Sequence, residues 1–333
     1  MFHLFEGKTA DEVWQKVAAE FRIKRNTYIQ KGRGGKTNEI LHAALSISDP
    51  RQRWITSRRP ALNPGFAIAE TIWILRGRND AAFLNYFNSQ LPKFAGYGDT
   101  YAGAYGHRLR NHVGFDQLKR AYFALKRNPE SRQIVLQLWD ARLDFPQTNG
   151  LPSSPDVPCN VISMLKIRNS ALEWTQIMRS NDLFRGLPHN VVQFTTLQEV
   201  MSGWLKVKLG TYNHFSDSLH AYEGTLPDIQ KSLAAKACRN IDSLALPKKE
   251  SEKALREVER VTDLIVKSTV SAEKLLSIIR QTTLPRGFRN LVCVLCAEGA
   301  RRRKCTDEMD EIMSNCSNPV FNKMFFDWNQ RCS

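Results

Sequence analysis

Residues 179–190 read Arg179-Ser180-Asn181-Asp182-Leu183-Phe184-Arg185-Gly186-Leu187-Pro188-His189-Asn190. Upstream, residues 159–167 and 171–179 alternate as two antiparallel strands joined by a turn at Arg168-Asn169-Ser170. Downstream, Val191, Phe194, Leu197, Val200, Met201 and Trp204 are spaced for the buried stripe of a helix over 190–204. The quoted stretch is therefore a strand exit, a loop and a helix entry. Further strands are expected over 133–139 and 206–212, and helices over 11–30 and 66–75. Asn63-Pro64-Gly65 starts the second of these helices and Gly77 stops it. The pattern predicts an α/β layered fold with a mixed, largely antiparallel sheet and packed helices. From Leu226 onward the period is helical, broken by Pro247, Pro285 and Pro319. This divides the chain into a mixed α/β region, 1–225, and a helical C-terminal extension, 226–333.

The chain has 333 residues, 42% hydrophobic and 24% charged, which excludes bulk disorder and allows a substantial core. No apolar run reaches the roughly 18 residues of a membrane span, and the N-terminus lacks the features of a secretory signal. Seven scattered cysteines fit a reducing cytoplasm better than a disulfide scaffold. The net charge of +15 attracts anions. The excess is spread out, with one true cluster at Arg301-Arg302-Arg303-Lys304. A small anionic substrate and a solvated helix end are favoured over nucleic acid. Cys293 and Cys296 lie one helical turn apart in an apolar stretch, which reads as packing, and no metal site is expected.

Several residues carry chemistry. Cys159 opens a strand after Pro158, and Arg179 leaves the next strand. An arginine beside a thiol favours the thiolate and can clamp a phosphate. Asn190 offers an amide that reads a heterocycle edge. Glu70, in the apolar stretch 66–75, reads either as the polar edge of its helix or as a functional carboxyl. Lys31-Gly32-Arg33-Gly34-Gly35-Lys36-Thr37 reads either as a surface loop or as an anion site. Arg58-Arg59 reads as a surface pair.

Pro158-Cys159, followed by Arg179-Ser180-x-Asp182-x-x-x-Gly186-Leu187-Pro188-x-Asn190, resembles the signature of the thymidylate synthase and pyrimidine nucleotide hydroxymethylase family. The likeness extends to Phe66–Trp73, Gly103-Ala104-Tyr105-Gly106, Ser131-Arg132-Gln133-Ile134 and Gly210–Phe215. It implies folate-dependent transfer of one carbon to C5 of a pyrimidine nucleoside monophosphate, with 5,10-methylenetetrahydrofolate as co-substrate. In that scheme Cys159 is the nucleophile at C6, Glu70 orders water and moves protons, and Tyr105 assists proton removal at C5. Arg33, Arg179 and Ser180, with Arg132 lent by the second subunit of a homodimer, hold the phosphate. Asn190 reads the base, Asn213, His214 and Phe215 form the sugar strand, and Asp182 and Gly186 lie on the folate side.

The chain departs from the family pattern at Gln133, Asn160, His189, Asn213 and Phe215. At position 189 synthases carry an aromatic residue. The closing C-terminal tail of the synthases has no counterpart in the sequence, which favours a hydroxymethyl product or an altered substrate. Asn190 favours uracil, so dUMP is preferred. The alternatives are a cytidylate 5-hydroxymethylase, and a catalytically idle relative that binds nucleic acid or a protein partner.

Overall fold

The computed structural model describes residues 2–24, 26–32, 34–267 and 269–332. Strand β1 (His3–Gly7) leads into a capping box. The Thr9 hydroxyl accepts from the Glu12 amide at 3.1 Å while Glu12 reaches back, and this starts α1 (Ala10–Ile23). The helix ends at Lys24, whose φ of 53° is left-handed. The helix expected over 11–30 is thus shorter, and its last residues belong to β2 (Tyr28–Gly32). A tight turn returns the chain as β3 (Gly35–Ile47), so the glycine-rich segment is a hairpin tip. Arg33 lies outside the described residues.

Helices α2 (Pro64–Leu75), α3 (Ala81–Phe87), α4 (Pro92–Ala95), α5 (Tyr105–His107) and α6 (Gln117–Arg127) follow. Next come β4 (Val135–Gln137), α7 (Ala141–Asp144), β5 (Asn160–Arg168), β6 (Ala171–Met178) and β7 (Asn181–Asp182). Helix α8 (Leu187–Leu205) and β8 (Lys208–Tyr222) complete the sheet region. The sheet runs β1-β3-β8-β6-β5-β4, with β2 paired to β3 and β7 to β8. It is mixed: β1/β3, β6/β8 and β7/β8 are parallel, and the other pairs are antiparallel. Long β3 is hard to read in sequence because its alternation slips at His42, which has φ 57° and is bonded at 3.0 Å to Asp217 of β8. The same slip hides the second half of β8, so that strand runs ten residues beyond the expected end at 212.

The later helices are α9 (Leu226–Ser232), α10 (Lys248–Val266), α11 (Ala272–Gln281), α12 (Arg286–Arg302), α13 (Thr306–Ser314) and α14 (Pro319–Cys332). Helices α10, α12 and α14 pack on α2, and α10 also packs on α8. Their apolar side chains join one core with Trp14, Trp174 and Phe194. Gly65 lets α12 approach closely, since a Cβ there would lie 3.0 Å from Glu298 Cβ. No helix among the described residues is long and apolar enough to cross a membrane.

The three arginines of the basic cluster are tied to the fold, while Lys304 at its end is exposed. Arg301 and Arg302 both bind the buried Glu298 carboxylate, at 2.7 and 2.8 Å. Arg303 donates to the carbonyls of Val270, Gly299, Ile265 and Lys267, tying the end of α12 to the segment after α10. Arg58 is likewise no surface residue. It is buried, donates to the Phe184 carbonyl at 2.8 Å, and burial pushes its guanidinium down to about 10. Burial also pushes the Cys293 thiol up to about 11, in keeping with apolar packing.

Candidate active site

Cys159 stands where a loop enters β5. Its carbonyl accepts from the Arg179 amide at 3.0 Å, tying the start of β5 to the end of β6. The Arg179 guanidinium folds back over the same loop, donating to the Pro158 carbonyl at 3.1 Å and the Val157 carbonyl at 3.2 Å. Its Nη2 lies 3.9 Å from Cys159 Sγ. A positive charge fixed beside sulfur favours a thiolate over a thiol.

Tyr105 is held in place because α5 abuts α2 backbone to backbone. A Cβ on Gly106 would lie 2.3 Å from the Ile74 carbonyl oxygen, so only glycine permits this approach. Burial pushes the Tyr105 phenol up, Cys159 pushes it further, Asn160 pulls it back, and Asp156 and Glu70 add smaller upward effects. The hydroxyl is therefore neutral and lies near the Cys159 thiol and the Asp156 and Glu70 carboxyl groups. Asn160 is wholly buried and its Oδ1 accepts from Gln176 at 2.7 Å. Asp156 accepts from the Gly103 amide at 2.6 Å.

Glu70, one turn after Phe66 on α2, is the exception in an otherwise buried helix, with its side chain 18% exposed. Its Oε2 lies 3.4 Å from Nδ1 of His189 in the first turn of α8. Next to His189, Asn190 is buried and its Nδ2 donates to Gln193 Oε1 at 3.1 Å. The Ser180 hydroxyl lies 3.5 Å from His220 Nδ1. Asp182 uses Oδ1 to turn the chain, accepting from the Phe184 and Arg185 amides, both at 2.7 Å. Gly186 packs on this turn, where a Cβ would fall 2.7 Å from Asn181 Oδ1.

Cys159, Arg179, Tyr105 and Glu70 thus lie near one another where the sheet meets α2. The thymidylate synthase family profile covers residues 22–275. The chain belongs to the thymidylate synthase family. It is 34% identical over 213 residues to a deoxyuridylate hydroxymethyltransferase of Bacillus phage SP01, covering 59% of this chain and 55% of the relative. It is 35% identical over 179 residues to one of Pseudomonas phage M6, covering 53% of this chain and 50% of the relative. A thymidylate synthase of Clostridium beijerinckii is 25% identical over 222 residues, 64% of this chain and 78% of the relative. The chain thus spans about half the length of the two phage relatives.

Within this family member the expected sugar strand is divided between two faces. Asn213 and Phe215 lie half-exposed on the sheet face away from the buried His214. His214 instead supports the loop from below, bonded to Asn181 at 3.2 Å, the Tyr212 hydroxyl at 3.1 Å and Ser216 at 2.9 Å. Beyond the slip at Asp217, β8 changes phase and brings His220 to Ser180. The Tyr222 ring stacks edge-on against His220 at 5.5 Å and under Arg185 at 5.7 Å. Reading along the sequence missed both residues. The signal that finds them is the isolated alternation His220-Ala221-Tyr222, resumed after the slip. Burial holds the His220 imidazole below its ordinary value, while Asp182 and Glu39 pull it up. Arg132 is exposed ahead of β4.

Burial pushes the His214 imidazole down to about 3. The folded chain then binds fewer protons than the unfolded one between pH 6.5 and 3. The stabilisation is full above an unfolded pKa of about 6.5 and is lost as pH falls below it, at about 1.4 kcal/mol per unit. Urea midpoints at pH 7 and pH 4.5 should show a steep acid loss that His214→Gln flattens. Equal acid loss in both proteins would contradict the assignment.

Proposed function

We propose that this chain transfers one carbon from 5,10-methylenetetrahydrofolate to C5 of dUMP and finishes it as a hydroxymethyl group. The observation that carries the reading is Arg179 at 3.9 Å from the Cys159 sulfur, beside Tyr105. Attack of the thiolate at C6 makes C5 carbanion-like, and the neutral Tyr105 hydroxyl stands ready to relay the C5 proton. Arg179 and Ser180 bind the phosphate, and His220 and Tyr222 line the sugar side. For the co-substrate, the residues present fit. Asp182 offers a carboxyl held in place by its turn, and the exposed Phe94 ring stands 6.0 Å from the Arg185 guanidinium, giving a flat apolar wall beside a charge. Methylenetetrahydrofolate supplies the one-carbon unit when bound. The hydroxymethyl outcome is supported by the named activity of the phage relatives.

The reading includes a homodimer. Cross-strand neighbours Ile162, Ile177 and Phe215, with Met164 and Thr175, form a half-exposed face of the sheet. Phe2 and Leu4 extend it, 72% and 61% exposed. A second copy would bury that face, and the exposed Arg132 would be delivered to the partner's phosphate. In this reading the helices after Leu226 serve as a buttress for α2, the helix that carries Glu70.

Asn190 supports uracil as the base. Because one N–H of its amide is held by Gln193, the other N–H and Oδ1 remain for a base edge that accepts at O4 and donates at N3. A flipped amide would set Oδ1 against Gln193 Oε1. Each mismatched buried group costs roughly 1–3 kcal/mol. Wild type should therefore prefer dUMP over dCMP in competition for C5 proton exchange, and Asn190→Asp should lower that preference by at least about tenfold. A wild-type preference for dCMP would overturn the base assignment.

A further inference from the structure

His189 occupies the first turn of α8, immediately before the base-reading Asn190, and faces Glu70. The two nearest atoms, His189 Nδ1 and Glu70 Oε2, lie 3.4 Å apart. Both are buried atoms without a hydrogen-bond partner of their own among the described residues. Their side chains are only 16% and 18% exposed. Buried polar atoms are ordinarily satisfied, and a facing pair left open on both sides is suited to a water or a transferred proton. Phe66 fixes the imidazole from α2, its ring edge-on at 5.0 Å. Phe66 and Glu70 are one turn apart, so a single helix both clamps the imidazole and presents the carboxyl to it.

An aromatic hydrocarbon side chain at position 189 would leave Glu70 facing a dry wall. An imidazole at this place brings a second proton acceptor beside the base ring. We propose that His189, paired with Glu70, selects water as the nucleophile that completes the reaction. This rests on the C5-transfer reading above. In the step, a water oxygen lone pair forms the C–O bond to the exocyclic methylene on C5. The C=C pair moves into the ring as an enolate, and the water proton passes to the His189–Glu70 pair. The enolate pair then re-forms C5=C6 as the C6–S bond breaks, its electrons returning to the Cys159 thiolate. No oxidant or reductant is consumed.

The test uses C5-tritiated dUMP and methylenetetrahydrofolate with wild type, His189→Phe and His189→Gln, with and without added 2-mercaptoethanol. Tritium release reports formation of the methylene, and chromatography reports the product. Wild type should give about one hydroxymethyl group per tritium released. In both variants that ratio should fall at least about tenfold, the low end for a lost proton acceptor being larger still. Added thiol should then trap the stranded methylene as a thioether. A ratio near one in a variant that releases tritium would overturn the role of His189 and leave C5 transfer standing. Loss of tritium release in both variants would also overturn it, because the residue would then act before the methylene exists. Absence of release from wild type would overturn the C5-transfer reading itself.

Discussion

Cys159→Ser should release no tritium above background from C5-labelled dUMP, a loss on the order of 10⁴ or more, while nucleotide binding persists. A hydroxyl is a far weaker nucleophile than a thiolate at neutral pH, and Arg179 beside it has little anion to stabilise. Binding persists because Arg179 is held by the Pro158 and Val157 carbonyls rather than by the sulfur alone. Calorimetry with dUMP should give nearly the wild-type affinity. Substantial release by the serine protein would remove Cys159 from the role of nucleophile.

Arg132→Glu should be inactive alone and active in company. A homodimer that shares arginines across its two-fold axis places Arg132 of one subunit against the Cys159 site of the other. Mixing Cys159→Ser with Arg132→Glu subunits then creates hybrids in which one of two sites draws both intact parts. After random exchange, about a quarter of the wild-type activity should return. No recovery, with exchange confirmed by differential labelling, would mean that each site is built from one chain.

Much of this architecture is legible in the sequence, and the illegible parts share a cause. The β5–β6 hairpin and α8 are readable because their alternation and helical stripe are uninterrupted. The motif residues between them are local, so their order along the chain carries the geometry. Strand β3 and the end of β8 were hidden because paired residues, His42 and Asp217, shift the phase of both strands together. A pattern reader that assumes one phase assigns Asn213 and Phe215 to the site and passes over His220 and Tyr222. The cluster 301–304 misleads for a different reason. Charge counts do not reveal that Glu298 and five backbone carbonyls await those guanidinium groups. Nor does sequence spacing place His189 against Glu70, since that contact joins α2 and α8 across the fold.

C5 hydroxymethylation of dUMP through Cys159 is tested most directly by mass spectrometry of the nucleotide product after incubation with dUMP and methylenetetrahydrofolate in ¹⁸O-labelled water. The product should be heavier than dUMP by one CH₂O unit, carry the labelled oxygen and be absent with Cys159→Ser. A product heavier by one CH₂ unit without label would make the chain a methylating synthase. Unchanged dUMP from the folded wild-type protein would rule out C5 transfer to dUMP by this chain.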